Sequence, residues 1–274
     1  MSTPEGHAGP GTGESGSGAG TQAFNAAGFD AVLFDLDGVL TSTAKIHARC
    51  WKETFDSFLK ARSERSGQPF RPFELDIDYK TYVDGKSRYD GVRSFLDSRG
   101  ISLPQGSPDS PPQEQSVCGL GNRKDQLVEQ AIRAGQARSY PGAVAFVRWL
   151  REQGLRTAVV SSSHHCANVL RATGIEDLFD TRVDGRTVDE LQLPGKPAPD
   201  IYLHAARLLG VLPSRAAVVE DADAGVEAGR AGGFALVVGV DRGGAAQLLR
   251  QHGADRVVSD PGELIPKGAA EQDP

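Results

Sequence analysis

A short apolar run that ends in two aspartates constrains the fold of this chain more than any other segment. Residues 31–34 are all hydrophobic, and Asp35 and Asp37 follow directly. Continuous hydrophobicity is typical of a parallel strand that is covered on both faces. An open α/β sheet binds ligands outside the carboxyl ends of its strands, which is where these two carboxylates would lie.

The spacing of the two aspartates indicates a chemical role. Carboxylates two residues apart at a strand end point the same way and repel each other unless a cation or a shared proton compensates. Gly38 frees the backbone to turn sharply after them. We therefore expect one aspartate of the pair to act as a nucleophile and the other as an acid/base group, with a divalent ion between them. The alternative is a solvated, aspartate-rich turn after an edge strand.

The composition limits the classes of protein to which the chain can belong. Its 274 residues suffice for one large domain or two smaller ones. A net charge of −6 and a pI near 5.6 argue against a dedicated nucleic-acid or membrane-surface protein. The cysteines Cys50, Cys118 and Cys166 are scattered, and no stretch has the apolar length of a membrane span or the pattern of a signal peptide. We expect a reduced, cytoplasmic, monomeric protein that binds neither nucleic acid nor membrane.

Apolar runs and helical periodicity alternate along most of the chain. Beyond the first strand we predict strands at residues 157–160, 216–219, 235–238 and 256–258, the last of them at an edge. Apolar residues at helical spacing lie between these runs. Strands that alternate with helices form right-handed βαβ units. The predicted fold class is therefore α/β, with a doubly wound, Rossmann-like parallel sheet.

The stretch after the first strand breaks this rhythm and predicts an inserted α-helical cap domain. Trp51, Phe55 and Phe58 recur at helical spacing, two further helical patterns follow, and no convincing strand lies among them. A segment rich in Pro, Ser and Gln, residues 104–116, is predicted to be an exposed loop.

These patterns divide the chain into four parts. We predict a disordered, Gly- and Ser-rich tail at residues 1–27 and a shorter tail at residues 263–274. The core domain comprises residues 28–45 and 137–262. The cap comprises residues 46–136.

Three later motifs place further polar groups beside the aspartate pair. Ser161 follows the second strand, where a hydroxyl and free amide groups would hold a phosphoryl oxygen, although a serine there is equally expected to cap a helix. Lys196 precedes Pro197 in a rigid segment, from which it can neutralise a carboxylate and a phosphoryl group; a solvated loop lysine is the alternative. Glu220 and Asp221 follow the next strand and offer hard oxygen ligands for Mg²⁺.

The order of these motifs resembles that of the haloacid dehalogenase superfamily of aspartate-nucleophile phosphotransferases. The motifs DxDGV, a strand-end serine, GKPxPD and ED span the chain between the predicted tails. The insertion after the first motif is similar to the cap of the β-phosphoglucomutase-like branch. The resemblance implies Asp35 as the nucleophile, Asp37 as the acid/base group and Mg²⁺ as the cofactor. It further implies phosphoryl binding by Ser161 and Lys196, and metal binding by Asp35, Asp37, Glu220 and Asp221.

The same branch has substrate-binding positions that match residues of this chain. Arg88 takes the place of an arginine that holds the second, non-transferring phosphate, and its guanidinium suits a bidentate phosphate contact. Lys124 matches a second cap contact, and His47 matches a hinge histidine that orients the acid/base aspartate. A lone histidine on a helix would otherwise be interpreted as structural. The resemblance implies the following substrate-binding residues: Gly38, His47, Gly85, Arg88, Lys124, Ser162 and Ser163.

The chain departs from the pattern of this branch at four places. Ser42 stands where the branch usually has an acidic residue, and Ala222 where a serine often follows the metal pair. His164 and His165 replace a common Lys-Asn pair, and the loop at residues 104–116 lengthens the cap. These departures leave the phosphoryl-transfer residues in place but affect contacts that select the sugar.

The resemblance implies Mg²⁺-dependent phosphoryl transfer through an aspartyl phosphate, with a sugar phosphate as substrate. A mutase would convert β-glucose 1-phosphate to glucose 6-phosphate through the 1,6-bisphosphate, whereas a sugar-phosphate phosphatase would use water as the acceptor. Arg88 and Lys124 favour the mutase, because the idle phosphate needs a cation in the cap. A non-enzymatic, receiver-type phosphoacceptor module is a remote alternative; it would carry its aspartate on a middle strand and lack a large helical insertion.

Overall fold

A computed structural model describes residues 23–268 and contains a six-stranded parallel sheet. The strands are β1 Ala31–Phe34, β2 Arg156–Val160, β3 Thr181–Val183, β4 Ala216–Glu220, β5 Leu236–Val240 and β6 Arg256–Val258. They lie in the order β3-β2-β1-β4-β5-β6 across the sheet, and each neighbouring pair is parallel. β1 is therefore central. Most of the predicted N-terminal tail, residues 1–22, and residues 269–274 of the C-terminal tail lie outside the described residues.

Both faces of the sheet are buried, as the continuous hydrophobicity of the first strand predicts. Val32 and Phe34 of β1 belong to one hydrophobic cluster, and Ala31 and Leu33 belong to a second cluster. Alternate residues of a strand point to opposite faces, so the two clusters lie on the two sides of the sheet. The α/β, doubly wound fold class is confirmed.

The five predicted strands all form, and their bounds differ from the predicted ones by at most two residues. A sixth strand, β3, lies outside the sequence-based expectations. It has three residues, and its middle residue is the exposed Arg182. A three-residue edge strand is too short to show a recognisable alternation of polar and apolar residues.

Nine α-helices occur within residues 23–268. They are α1 Thr43–Ser66, α2 Arg88–Ser98, α3 Val117–Arg133, α4 Pro141–Glu152, α5 Cys166–Thr173, α6 Gly185–Leu191, α7 Asp200–Leu209, α8 Asp223–Ala231 and α9 Ala246–Gln251. None of these helices combines the length and the apolar character that crossing a membrane requires.

Three helices, α1, α2 and α3, lie in the predicted cap together with a π-helical segment, Leu75–Val83. They enclose a hydrophobic cluster separate from those of the sheet, with the rings of Phe55, Phe73 and Phe95 in mutual contact. The loop at residues 104–116 is largely exposed, and its last residue, Ser116, caps α3. The helical insertion thus has a core of its own.

Ordered packing reaches beyond the predicted tail boundaries at both ends of the core domain. Phe24, which the prediction places in the N-terminal tail, packs edge-on against Phe146 and Trp149. Leu264, which it places in the C-terminal tail, is fully buried, and its carbonyl accepts a 2.8 Å hydrogen bond from the Phe24 N–H. A single apolar residue inside a polar segment shows no periodicity, so the sequence pattern does not reveal this contact.

The strand order determines where a ligand binds. The chain proceeds from β1 to β2 and β3 on one side and continues with β4 to β6 on the other, so the order reverses between β1 and β4. The crevice outside the carboxyl ends of the strands at such a switch point is the usual ligand site of an open α/β sheet. Asp35 follows β1 and Glu220 ends β4, so both acidic motifs flank this crevice.

We predict that Phe24→Ala lowers the free energy of unfolding by about 3–5 kcal/mol, because the buried ring fills space that alanine leaves empty. Phe24 is 3% exposed, whereas Phe70, a suitable control, is 42% exposed. Phe70→Ala is expected to change the free energy of unfolding by less than about 1 kcal/mol. Urea unfolding of both variants is the measurement, and equal losses would contradict the assignment of Phe24 to the core.

Candidate active site

A buried lysine joins the carboxylates at the ends of the two central strands. The Nζ atom of Lys196, in the loop before α7, lies 2.6 Å from Asp35 Oδ1 and also donates a hydrogen bond to Glu220 Oε1. The side chains of Lys196, Asp35 and Glu220 are 1%, 10% and 1% exposed. The structure thus brings the predicted phosphoryl-binding lysine into contact with the predicted nucleophile.

Burial and the charge of the oppositely charged partner shift the pKa values of Asp35 and Lys196 in opposite directions. Burial raises the pKa of Asp35 well above its usual value, the charge of Lys196 opposes this shift, and the charge of Glu220 adds to it. Burial alone would lower the pKa of Lys196, but Asp35 and Glu220 raise that pKa well above its usual value. Lys196 therefore stays charged at neutral pH and stabilises the ionised form of Asp35.

The carboxylate of Glu220 is engaged by protein donors on both oxygens. Lys196 and the Tyr202 hydroxyl, the latter at 3.0 Å, donate to Oε1. The backbone N–H groups of Asp221 and Ala222 donate to Oε2 at 2.9 and 3.0 Å. These contacts orient Lys196 and the turn after β4, and they leave the Glu220 oxygens less available to an ion than those of its acidic neighbours.

Asp35, Glu220 and Asp221 form an acidic group with the spacing of metal ligands. One carboxylate oxygen from each lies within 4.8 Å of the others. Gly38 adopts a φ of +91°, and a Cβ atom there would lie 1.7 Å from Asp221 Oδ2, so glycine leaves the space that this carboxylate occupies. Burial, followed by the charges of Asp84 and Asp35, raises the pKa of Asp221 well above its usual value. Clustered carboxylates of this kind, two buried and one partly exposed, fit a hard divalent cation.

Asp37 lies beside Asp35 but contacts a different set of groups. Its backbone N–H donates a 2.8 Å hydrogen bond to Asp35 Oδ2. Its carboxylate accepts hydrogen bonds from the hydroxyl of Thr43, at the start of α1, and from that of Ser161, after β2, at 3.3 Å. His47 Nε2 lies 3.6 Å from Asp37 Oδ1. The two aspartates thus have different partners, a cation for Asp35 and neutral donors for Asp37, which suits separate chemical roles.

The three serines after β2 also contact the site. Ser161 does not cap α5, because its Oγ accepts a 3.0 Å hydrogen bond from the Ser163 N–H and the helix begins later. Ser162 Oγ donates to the Gly85 carbonyl at 2.9 Å, which joins the core to the cap. A Cβ atom at Gly85 would lie 3.0 Å from Ala222 Cβ, so the small residues at both positions allow this close approach.

A neutral histidine faces the acid/base candidate. Lys124 on α3 lies with its Nζ 2.8 Å from Nδ1 of His47 on α1, so Lys124 donates and the ring hydrogen of the neutral imidazole lies on Nε2, toward Asp37. Burial, followed by the charge of Lys124, lowers the pKa of His47 to about 4. Burial also lowers the pKa of Lys124 to about 8. Within residues 23–268, His47 Nε2 has no hydrogen-bond partner, so its N–H is free to bind a ligand or Asp37.

Arg88, at the start of α2, is paired with an acidic residue. Its guanidinium contacts Asp125 Oδ1 at 2.9 Å and Asn122 Oδ1 at 3.0 Å. Asp125 on α3 also contacts His165 Nε2 of the core at 2.9 Å. Burial alone would raise the pKa of Asp125, but the His165 hydrogen bond and the charge of Arg88 lower it to about 2. Asp125 is therefore ionised, and it links the cap to the core.

One cavity between the core and the cap collects most of the predicted site residues. Lining it are Asp35, Asp37, His47, Gly85, Arg88, Lys124, Ser162, Ser163, Glu220 and Asp221. The other three predicted site residues do not line the cavity but contact residues that do: Gly38 lies against Asp221, Ser161 against Asp37 and Lys196 against Asp35. His164, which departs from the pattern of the branch, lines the cavity as well.

Several polar residues at the site lie outside the sequence-based expectations. Thr43 and Tyr202 hydrogen-bond to Asp37 and Glu220, and Asp125 pairs with Arg88, as described above. Tyr79 and Asp84, in and directly after the π-helical segment, line the cavity, and burial raises the pKa of Asp84 to about 7. The only signal in the sequence was the position of Asp84 and Asp125 next to the predicted cap contacts.

An aspartate cluster at the switch point of a parallel sheet, closed by an inserted helical cap, defines a class of phosphoryl-transfer enzyme. A sequence model of the haloacid dehalogenase-like hydrolases matches residues 29–233. The chain belongs to this family.

Several proteins of similar sequence or structure are β-phosphoglucomutases. The β-phosphoglucomutase of Mycobacterium tuberculosis is 53% identical over 238 residues, which are 86% of this chain and 91% of that protein. The β-phosphoglucomutase of Bacillus subtilis is 32% identical over 225 residues, which are 81% of this chain and 89% of that protein. The crystal structure of β-phosphoglucomutase from Clostridium difficile is 24% identical, has a TM-score of 0.67 and is matched over 86% of this chain and 93% of that one, which shows a shared fold. The resemblance inferred from the motifs is confirmed, and the chain is an enzyme.

We predict that Gly38→Ala weakens divalent-ion binding by at least about tenfold, since the new Cβ would displace the Asp221 carboxylate. Gly135 is the matched control, because it also has a positive φ, +67°, but nothing lies within 4 Å of the position that a Cβ atom would take there. Gly135→Ala should only lower the free energy of unfolding, by about 1–2 kcal/mol. Calorimetric titration with Mg²⁺ distinguishes the two, and unchanged affinity in Gly38→Ala would contradict the assignment of this metal site.

His47 makes the stability of the fold depend on pH. The unfolded chain protonates this histidine near pH 6.5 and the folded protein only near pH 4, so its contribution is complete above pH 6.5 and is lost as the pH falls toward 4. Between pH 7.5 and 5 we expect the wild-type protein to lose about 2 kcal/mol more of its free energy of unfolding than His47→Gln. Urea unfolding at both pH values is the measurement, and equal losses would show that His47 is protonated normally.

Proposed function

We propose that the protein catalyses the β-phosphoglucomutase reaction, converting β-glucose 1-phosphate to glucose 6-phosphate through the 1,6-bisphosphate. The observation that carries this proposal is that the candidate nucleophile and the two cap cations line opposite walls of one cavity. Asp35, backed by Lys196, lies on the core wall, and Arg88 and Lys124 lie on the cap wall. A substrate that carries two phosphates needs positive charge at both ends. Arg88 and Lys124 would supply it at the cap end, and Lys196 behind Asp35, together with a bound divalent ion, would supply it at the core end.

We propose Mg²⁺ as the cofactor, held by Asp35, Asp221 and the backbone carbonyl of Asp37. Glu220, whose oxygens accept four hydrogen bonds from protein groups, would orient these ligands. Mg²⁺ prefers few carboxylates together with water and phosphate oxygens, which suits a site at the open end of a sheet. The ion would supply positive charge that offsets the repulsion between a carboxylate nucleophile and a phosphoryl group.

The core residues would divide the phosphoryl-transfer chemistry among them. A carboxylate oxygen of Asp35 attacks phosphorus, the bond from phosphorus to the sugar oxygen breaks, and Asp37 gives that oxygen a proton. In the other half-reaction Asp37 takes the proton from the 6-hydroxyl of β-glucose 1-phosphate, and that oxygen attacks the aspartyl phosphate, so that the bond to Asp35 breaks and the 1,6-bisphosphate forms. Asp35 then takes the 1-phosphoryl group of the bisphosphate, and glucose 6-phosphate leaves. Lys196 and Ser161 would stabilise the charge on the phosphoryl oxygens, at about 3–4 kcal/mol for a well-placed donor.

The cap must move for a sugar phosphate to reach these groups. The space enclosed between core and cap measures about 60 Å³. Sites for small molecules usually measure about 300–1,000 Å³. We infer that the described arrangement is a closed one, and that closure excludes water from the aspartyl phosphate.

A sugar-phosphate phosphatase is the second candidate, and one contact favours it. Arg88 already pairs with Asp125 at 2.9 Å, so part of its charge is compensated before any second phosphate binds. A phosphatase has no idle phosphate to hold, and water would be its acceptor. The choice between the two depends on whether Arg88 exchanges Asp125 for a phosphate group.

An assay with Mg²⁺, β-glucose 1-phosphate and a trace of β-glucose 1,6-bisphosphate tests the proposal. Glucose 6-phosphate and inorganic phosphate are measured together, with Asp35→Asn as the inactive blank. Glucose 6-phosphate as the main product supports the mutase. Inorganic phosphate as the main product would contradict the mutase proposal and support a sugar-phosphate phosphatase.

We predict that Arg88→Ala slows isomerisation by about 10- to 100-fold while hydrolysis of a small aryl phosphate changes by less than about threefold. The reason is that a hydrogen bond to a charged group contributes about 1.5–3 kcal/mol, and only the bisphosphate makes it. Arg93, an exposed arginine of the same helix that pairs with Asp90, is the matched control. Equal losses on both substrates would remove Arg88 from the second-phosphate role.

A cytoplasmic location and a monomeric state remain predictions from the sequence. The cysteines Cys50, Cys118 and Cys166 are all free and buried, which is compatible with a reducing compartment.

A further inference from the structure

Two linkers connect the core to the cap, and they lie side by side. The outgoing linker, residues 37–42, follows β1, and the returning linker, residues 134–140, precedes α4. Tyr140 N–H donates to the Leu40 carbonyl at 2.9 Å, and Ser42 N–H donates to the Arg138 carbonyl at 2.8 Å. Any movement of the cap relative to the core must bend this pair.

One side chain of the core contacts both linkers. Arg242, in the loop after β5, donates hydrogen bonds from Nε to the Gly38 carbonyl at 3.0 Å and from a terminal nitrogen to the Val39 carbonyl at 3.4 Å. The centre of its guanidinium lies 3.6 Å from the centre of the Tyr140 ring, so it also stacks on the returning linker. Its side chain is only 23% exposed.

The guanidinium of Arg242 is held in turn by the last segment of the core. It contacts Asp260 Oδ2 at 2.9 Å and the Ser259 carbonyl at 3.1 Å. A guanidinium presents its donors in a rigid plane, so contacts on one edge fix the direction of the others. Arg242 is therefore held by the core and in turn fixes the linkers relative to the core.

The contact to Gly38 reaches the site itself. Gly38 has the Arg242 guanidinium on its carbonyl and the Asp221 carboxylate against its α-carbon. The residue before it is Asp37, whose carbonyl and carboxylate belong to the proposed machinery. A displacement of the turn at Gly38 would move Asp37 and would open or close the gap that Asp221 fills.

We propose that Arg242 is a positioning residue that fixes the Asp37–Gly38 turn against both linkers, so that the acid/base carboxylate takes its working position. The kinetic part of this inference rests on the proposed phosphoryl transfer. The structural part does not depend on any substrate.

The test compares Arg242→Ala with Arg215→Ala in the full-length protein. Arg215 likewise pairs with an aspartate, Asp30, through two hydrogen bonds, but at the opposite end of the central strand. Amide hydrogen exchange of residues 36–42 is measured first, because the N–H groups of Gly38, Leu40 and Thr41 are hydrogen-bonded within this turn. We expect faster exchange in Arg242→Ala and wild-type exchange in Arg215→Ala; unchanged exchange in both would overturn the proposal.

Kinetics on an aryl phosphate and on β-glucose 1-phosphate form the second arm. We expect Arg242→Ala to lower kcat at least about tenfold with KM within about threefold, since small misplacements of catalytic groups reduce rates strongly. Added guanidinium ion at a non-denaturing concentration should restore part of kcat in this variant. A kcat like that of Arg215→Ala would overturn the positioning role.

Arg242→Lys covers the case in which the alanine variant does not fold. It keeps the charge but not the planar fork, so we expect intermediate exchange and intermediate kcat; wild-type values of both would contradict the proposal. If the wild-type protein does not turn over β-glucose 1-phosphate, the proposed function fails, while the exchange comparison still decides on Arg242.

Discussion

The ion pairs of Lys196 with Asp35 and Glu220 are the contacts on which the rest of the site depends. Two carboxylates at the ends of adjacent parallel strands could not both be buried and ionised without a cation between them, because the desolvation penalty of each is several kcal/mol. Lys196 supplies that cation from a loop that is distant in sequence. Its charge allows the two central strands to end in acidic residues at the switch point of the sheet. Asp221 and the turn at Gly38 lie beside this pair and belong to the proposed site for a divalent ion.

The core and the cap contribute different charged residues to the cavity between them. The core wall carries Asp35, Asp37, Glu220 and Asp221, whereas the cap wall carries Arg88 and Lys124 together with the acidic Asp84 and Asp125. Asp125 links the two walls, because it contacts both Arg88 of the cap and His165 of the core. Charged and polar contacts, including the hydrogen bond from Ser162 to Gly85, therefore hold the cap against the core, and we propose that Arg88 exchanges its contact with Asp125 for a phosphate group. Arg242 contacts both linkers of this joint, and we propose that it fixes the position of Asp37 relative to them.

The core of the site could be predicted because its residues follow apolar strands directly. Asp35, Ser161 and Glu220 each come next to such a run or end it, and parallel strands bring their carboxyl ends to one edge. The pairing of Arg88 with Asp125 and the saturation of Glu220 by four donors were beyond sequence reasoning, since both depend on side-chain directions across separate elements. The edge strand β3 and the buried Phe24 were missed for a related reason, because neither shows a periodic pattern. Arg242 carries no motif, and only its contacts reveal it.

The order of apolar runs, acidic pairs and turn residues by itself determined the α/β class, the inserted helical cap and the family, because hydrophobic periodicity and strand-end chemistry are local properties. Tertiary structure alone decided which charges meet. It placed Lys196 between two carboxylates, kept His47 neutral through burial and the charge of Lys124, and paired Arg88 with Asp125. Such choices depend on distances between residues that are far apart in the chain, and a pattern of residue types does not contain those distances.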